Sequence, residues 1–159
     1  MKRNMNFKNP YSDKTTEYQF WEILIKNDFE AFCTKNWKMI EDDFIDEGFF
    51  GIDGKKSANK ADWCLTYNSL KSYKSHWMNQ SEEFNLKVFE CNPLEVFYNT
   101  TKLSRIEIKG DIALVHKEFN GRFDIKNEES IIFDWISLFI LRKIEGNWKI
   151  ANFIGYLHK

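Results

Sequence analysis

Apolar positions change period along the chain, from three or four residues in its first half to two in its last third. Tyr18, Trp21, Ile25, Phe29 and Phe32 recur at the longer step, which predicts a helix. Thr16 followed by Gln19 fits a capping box at its start, since the hydroxyl and the amide can each satisfy an end N–H. Trp37, Ile40 and Phe44 continue the spacing and predict a second short helix after a break at 34–36. Phe49 to Gly54 reads as a strand entering an Asp-Gly turn. Residues 59–67 suit a short helix or a wrapped loop. Asn68 or Ser69 then caps a helix with Leu70, Tyr73 and Trp77 on one side. Residues 81–102 fit either a strand through Phe84, Leu86 and Val88 or an extension of that helix, with a boundary at Asn92-Pro93.

The last third reads as strands. Leu103–Lys109 leads to a Gly110-Asp111 turn, and Ile112–Phe123 follows, with a bend, bulge or turn suggested at Asn120-Gly121. Ile131–Ile144 is long and strongly apolar, and Trp148–Tyr156 closes the chain after Glu145-Gly146-Asn147. Helices first and a long meander last predict an α+β domain, with N-terminal helices packed in a strongly curved antiparallel sheet. Long strands curl, and a curled sheet closed by helices leaves a cone. Residues 1–14 read as a flexible N-terminal arm and 15–159 as a single domain.

Composition asks what such a cone would hold. Among 159 residues there are 15 Phe, 6 Trp and 6 Tyr, an aromatic share of 17% that exceeds the needs of an ordinary core. Net charge is -1 and no basic stripe stands out, so nucleic acid is not an expected partner. No apolar run reaches the roughly 20 residues of a bilayer span, and no signal peptide is readable, so the expectation is a cytoplasmic protein without a membrane partner. Cys33, Cys64 and Cys91 form no close pair, and with His76, His116 and His158 they give no metal-ligand spacing; neither a metal nor a cofactor is expected.

The order of elements resembles the NTF2-like superfamily, also met as SnoaL-like or ketosteroid-isomerase-like domains. The residues that carry the resemblance are Asn27-Asp28-Phe29-Glu30-Ala31-Phe32, Asp43-Phe44, Phe50-Gly51-Ile52-Asp53-Gly54 and Leu70-x-x-Tyr73-x-x-x-Trp77. Ile108-Lys109-Gly110-Asp111-x-Ala113-Leu114-Val115 and Trp148-Lys149-Ile150-Ala151-Asn152 complete the set. The resemblance implies a bent sheet around helices, a pocket inside and a homodimer through the outer sheet face. It implies no single reaction, because the fold hosts isomerases, dehydratases, cyclases and non-catalytic adaptors. Ile154 stands where a His is common in the family, which leaves a His-dependent chemistry without its residue.

The candidate site follows from polar residues among apolar ones. Asp134 lies inside Ile131-Ile132-Phe133-Asp134-Trp135-Ile136, where a carboxyl is either paired or raised in pKa. It is the candidate catalytic acid or base, with His116 as a partner across the sheet. On the last strand Trp148, Ile150, Asn152, Ile154 and Tyr156 share one face by simple alternation. Asn152 and Tyr156 are therefore candidate ligand contacts. Tyr73, Trp77 and Trp63 are candidate lining, and Asp43 a candidate entrance acid. The Lys55-Lys56 pair reads as a solvated face, and Asp53 as a turn residue.

The expected function is binding of an apolar or aromatic small molecule, with isomerase, dehydratase or cyclase chemistry by acid–base transfer. The alternatives are a ligand carrier without chemistry and a dimeric protein-interaction adaptor.

Overall fold

The computed structural model describes residues 7–159. The chain opens with α1 (Thr16–Trp21), a π-helical segment (Glu22–Asn27) and α2 (Asp28–Thr34), which run on as one helical rod. Its cap is Thr15 rather than Thr16: the Thr15 hydroxyl accepts from Tyr18 N at 3.3 Å. Part of the expected arm, within residues 7–14, packs on the folded body. Asn9 is 8% exposed and donates to the Tyr18 carbonyl and to Glu22, and Phe7 stacks on Tyr98. The rest of that arm, residues 1–6, lies outside the described residues.

The expected second helix is two 3-10 turns, Trp37–Met39 and Glu41–Asp43, which fold Trp37, Ile40 and Phe44 into the core. The 59–67 segment holds a short 3-10 helix, Lys60–Asp62, capped by Asn59, and then a strand. β1 (Phe50–Asp53) pairs antiparallel with β2 (Cys64–Tyr67). Only Tyr67 of β2 is buried, so burial left no periodic signal to read there. Ser69 caps α3 (Leu70–Asn85) in a capping box with Ser72. The 81–102 segment resolves as the end of α3, a loop, and α4 (Pro93–Thr100), where Pro93 opens the helix behind the Asn92 cap. Ser81 and Asn85 donate to the carbonyl of Phe32 at 2.7 and 2.8 Å, fastening α3 to the end of α2.

β3 (Thr101–Lys109), β4 (Ile112–Phe123), β5 (Ile131–Ile144) and β6 (Asn147–Leu157) form the antiparallel meander. Among the described residues the sheet has six strands in the order β2-β1-β6-β5-β4-β3. One pairing departs from the expected antiparallel pattern: β1 runs parallel to β6. Asn120-Gly121 makes no turn, and β4 runs through it; the missing side chain leaves room for Thr100, whose Oγ1 would lie 2.9 Å from a Cβ at Gly121.

The helices fill the concave side, and the core is aromatic from end to end. Phe20, Phe29, Trp37, Phe44, Phe49, Tyr67, Trp77, Phe84, Phe97, Phe119, Phe123, Trp135, Trp148 and Phe153 are all buried. Two irregularities in β6 decide which of its residues look inward. Ile140 pairs with Asn152 but Leu141 with Ile150, so Ala151 is an extra residue. A second shift lies between the pairs Ile136–Leu157 and Leu138–Ile154, next to Tyr156 at φ 55°. Simple alternation is thereby broken twice. Trp148, Ile150 and Phe153 face the helices, while Asn152 and Ile154 stand on the other side. Among the described residues no helix is long and apolar enough to cross a membrane.

Candidate functional site

A cavity of about 330 Å3 occupies the wide part of the cone, between α2, α3, α4 and the concave faces of β4, β5 and β6. Its walls are rings: Phe29, Phe32, Trp77, Phe119, Phe133, Trp135, Phe139 and Phe153. Gly51 keeps one of them in place, since a Cβ there would sit 2.4 Å from the Phe153 ring. The rim is polar, with Lys56, Gln80, Glu83 and Lys87. Tyr156 lies at the same end and donates to Gln80 Oε1 at 3.4 Å.

The deep end carries a buried ion pair. Lys117 points inward from the middle of β4, is 1% exposed, and its Nζ lies 2.9 Å from Asp28 Oδ2. The same ammonium donates to the backbone carbonyl of Leu24, in the π-helical segment that ends just before Asp28. Such widened turns recur at functional sites. Nζ also sits over the rings of Phe29 and Phe119, 4.4 and 4.9 Å from their centroids. Asp28 Oδ1 accepts from Trp77 Nε1 at 3.3 Å. Burial pushes the Lys117 pKa down, and the Asp28 carboxylate acts against that shift.

Tyr73 lines the cavity beside this pair. Burial, reinforced by the Asp28 charge, pushes its hydroxyl pKa well up, so it stays a proton donor at neutral pH. Among the described residues that hydroxyl has no hydrogen-bond partner. The deep end thus offers a carboxylate, an ammonium and a free O–H within an aromatic shell. These are the groups that orient a carbonyl or hydroxyl and move a proton at it.

Of the residues singled out from sequence, Tyr73, Trp77 and Tyr156 line this cavity. The others stand elsewhere. Asp134 is on the convex face of β5, where its carboxylate pairs with Lys159 at 2.6 Å. His116 is on the convex face of β4, paired in register with Leu138, so it meets neither the cavity nor Asp134. Asn152 also faces outward, with its amide donating to the Gly48 carbonyl at 3.3 Å. Trp63 is 37% exposed in the β1–β2 connection. Asp43 lies behind the floor, not at the entrance; it accepts from Asn27 Nδ2 at 3.1 Å and borders a void of about 20 Å3 that Asp28 and Lys117 also touch. Burial raises the Asp43 pKa. The proposed pair of Asp134 and His116 therefore does not assemble at the cavity.

The sequence pattern does not single out Asp28 or Lys117, which the structure brings together at the cavity floor. The signal for Lys117 was present: Ala113, Val115, Phe119 and Phe123 alternate with it, so it is a lysine on the apolar face of a strand. Both faces of the strand carry apolar residues, Ile112 and Leu114 on the side of His116, so alternation alone does not choose between Lys117 and His116.

His76 on α3 lies outside the cavity under Tyr67, with its Nε2 buried and without a partner among the described residues. Burial lowers its pKa, against opposing effects of Asp53, Gln80 and Glu83. The folded chain therefore keeps His76 neutral over a range where the unfolded chain binds a proton. Stability from this residue is full above the ordinary histidine pKa of about 6.5 and is lost as pH falls through that value toward the lower folded pKa. Thermal denaturation at stepped pH checks this: His76→Phe is expected to lose less stability than the parent between neutral and mildly acidic pH.

No family model matches the sequence, and none of the curated proteins matches it. Solved structures do. An NTF2-like superfamily protein from Salmonella enterica serovar Typhimurium superposes with a TM-score of 0.57 at 11% identity, covering 86% of each chain. A domain of unknown function with a cystatin-like fold from Nostoc punctiforme gives 0.57 at 12% identity, over 88% of this chain and 76% of that one. An NTF2-like protein of unknown function from Shewanella baltica gives 0.51 at 20% identity, over 89% and 95%. At such identities the likeness establishes the fold: this chain has the NTF2-like α+β cone.

Proposed function

We propose that the chain binds an apolar or aromatic small molecule inside the cone, and that Asp28, Lys117 and Tyr73 orient a polar atom at its deep end. The observation that carries this reading is the buried Asp28–Lys117 pair set in an aromatic cavity of about 330 Å3. That volume is at the small end for ligand pockets, which suits one or two rings or a medium chain. Acid–base chemistry fits the same groups. Asp28 would take a proton from a carbon or hydroxyl, Tyr73 would donate to a developing oxyanion, and Lys117 would hold the local charge balance. Isomerisation, dehydration and cyclisation all reduce to such steps, and none requires an organic cofactor. This moves the catalytic role from Asp134 and His116 to the cone floor.

A carrier without turnover is the second reading. It is favoured by how fully Lys117 is already engaged, with Leu24, Asp28 and two rings around its ammonium. A homodimer accompanies either reading. The half-buried Leu114, Ile136, Leu138, Ile140 and Ile154 make an apolar stripe on the convex face of the sheet, which a second copy would cover.

Native mass spectrometry of protein purified from its own host tests the shared premise. One small molecule per chain is expected, and Tyr73→Phe should weaken its retention by roughly five- to thirtyfold through the lost hydrogen bond. An empty cone, together with no binding of the apolar fluorophore N-phenyl-1-naphthylamine, would overturn it.

A further inference from the structure

We infer that Lys56 anchors a carboxylate at the cavity rim, so that the ligand is a monocarboxylate whose ring or chain fills the cone. This rests on the ligand-binding reading above and narrows it to a substrate class.

The backbone around Lys56 is unusual. Lys55 and Lys56 both have positive φ, 54° and 52°, and Ser57 N donates to the Gly54 carbonyl at 3.1 Å. This is a left-handed two-residue turn, the kind that ordinarily selects Asn-Gly because side chains crowd it. Here two lysines occupy it. The surroundings hold them there: Lys55 N donates to Asp53 Oδ1 at 2.7 Å, Lys56 N to the Tyr156 carbonyl at 2.7 Å, and Gly54 N to the Gly155 carbonyl at 2.8 Å. Tyr156, the acceptor, is itself left-handed at φ 55°. Three left-handed backbone positions thus lie side by side, and two of them, Lys56 and Tyr156, line the mouth of the cavity.

The turn places Lys56 over the indole of Trp135, with Nζ 4.8 Å from the ring centroid. Trp135 is a cavity wall, so the ammonium overhangs the opening. The other polar groups at the rim are Lys87, Gln80 and Glu83. Lys87 is bound to Glu128 at 2.7 Å. Gln80 accepts from Tyr156. Glu83 projects from the exposed side of α3 and forms no ion pair among the described residues. Lys56 also has no carboxylate partner among them, yet it is held in place by both turn and ring.

The floor decides the ligand's polarity by exclusion. Lys117 is already neutralised by Asp28, and an acid head placed there would meet the Asp28 carboxylate in an apolar shell. At the rim the same head finds an uncompensated ammonium with water still nearby. The ligand therefore enters body first, with its neutral polar group toward Tyr73 and its carboxylate at Lys56.

Matched probes test this. Decanoate and 1-decanol share a chain and differ in head, and each is titrated against bound N-phenyl-1-naphthylamine at neutral pH. Decanoate should bind the parent protein more tightly than decanol. Lys56→Met, which keeps the stem over Trp135, should weaken decanoate by roughly three- to tenfold and leave decanol unchanged. Lys109→Met, at an exposed lysine on β3 that does not line the cavity, should change neither. Equal effects of Lys56→Met on the two probes, or none on decanoate, overturn the assignment while leaving the cone a ligand site. Failure of both the fluorophore and decanol to bind overturns the ligand-binding reading itself.

Discussion

Asp28→Asn is expected to destabilise the protein by about 3 kcal/mol, and adding Lys117→Met to it should recover much of that loss. The reason is an asymmetry between breaking an ion pair and deleting it. Lys117 is 1% exposed, so removing the Asp28 charge strands an ammonium that water cannot reach. Breaking buried pairs in this way costs about 3–5 kcal/mol, whereas replacing both members by uncharged groups of like volume is often nearly neutral. Two features moderate the single change: Asn keeps an oxygen for Lys117, and the Leu24 carbonyl remains. Lys117→Met alone should be milder, about 1–2 kcal/mol, because the Asp28 side chain is 29% exposed toward the cavity and keeps its bond from Trp77. In a chain of this size each kcal/mol moves Tm by about 2–4 °C. Thermal melts of the two single variants and the double therefore close a cycle. A double variant that loses the sum of the two singles would show that the residues do not act as a pair.

The same pair shows how far the sequence reached. The class, the helix capped by Ser69 and the full extents of β4 and β5 followed from period and punctuation, because long strands and a capped helix repeat their signal many times. The site did not follow, because it depends on parity. β5 carries apolar residues on both faces, Phe133, Trp135 and Phe139 inward and Ile136, Leu138 and Ile140 outward, so alternation could not say on which side Asp134 fell. In β6 parity was readable but wrong after Ala151, since one extra residue turns Asn152 to the far side and a second irregularity near Tyr156 restores an inward ring. Asp28 had no such ambiguity of face. It lies four residues after Leu24, so one helix face presents the Leu24 carbonyl and the Asp28 carboxylate to one ammonium, but that this ammonium is Lys117 follows only from how the helix packs on β4. Lys55-Lys56 was hidden differently: nothing in two adjacent lysines announces a left-handed turn.

Phe97→Ala should show which of the many rings are core and which are wall. Phe97 is 2% exposed, stacks on Phe29 at 4.3 Å, and meets Phe123 and Phe133 at 4.7 and 5.5 Å between centroids. Truncating such a residue costs about 3–5 kcal/mol, combining lost burial with an unfilled space. Phe97 also borders the cavity, so the space it vacates is continuous with that cavity rather than sealed. A ligand can then repay part of the loss. The variant is expected to melt roughly 10 °C below the parent when empty, and to gain more than the parent from saturating N-phenyl-1-naphthylamine. Phe20, equally buried but packed edge-on against Trp148 away from the cavity, provides the contrast. Phe20→Ala should fall as far without any added response to the fluorophore. If the two variants respond alike, the ring at 97 is plain core, and the aromatic excess of this chain serves packing at that position rather than a ligand.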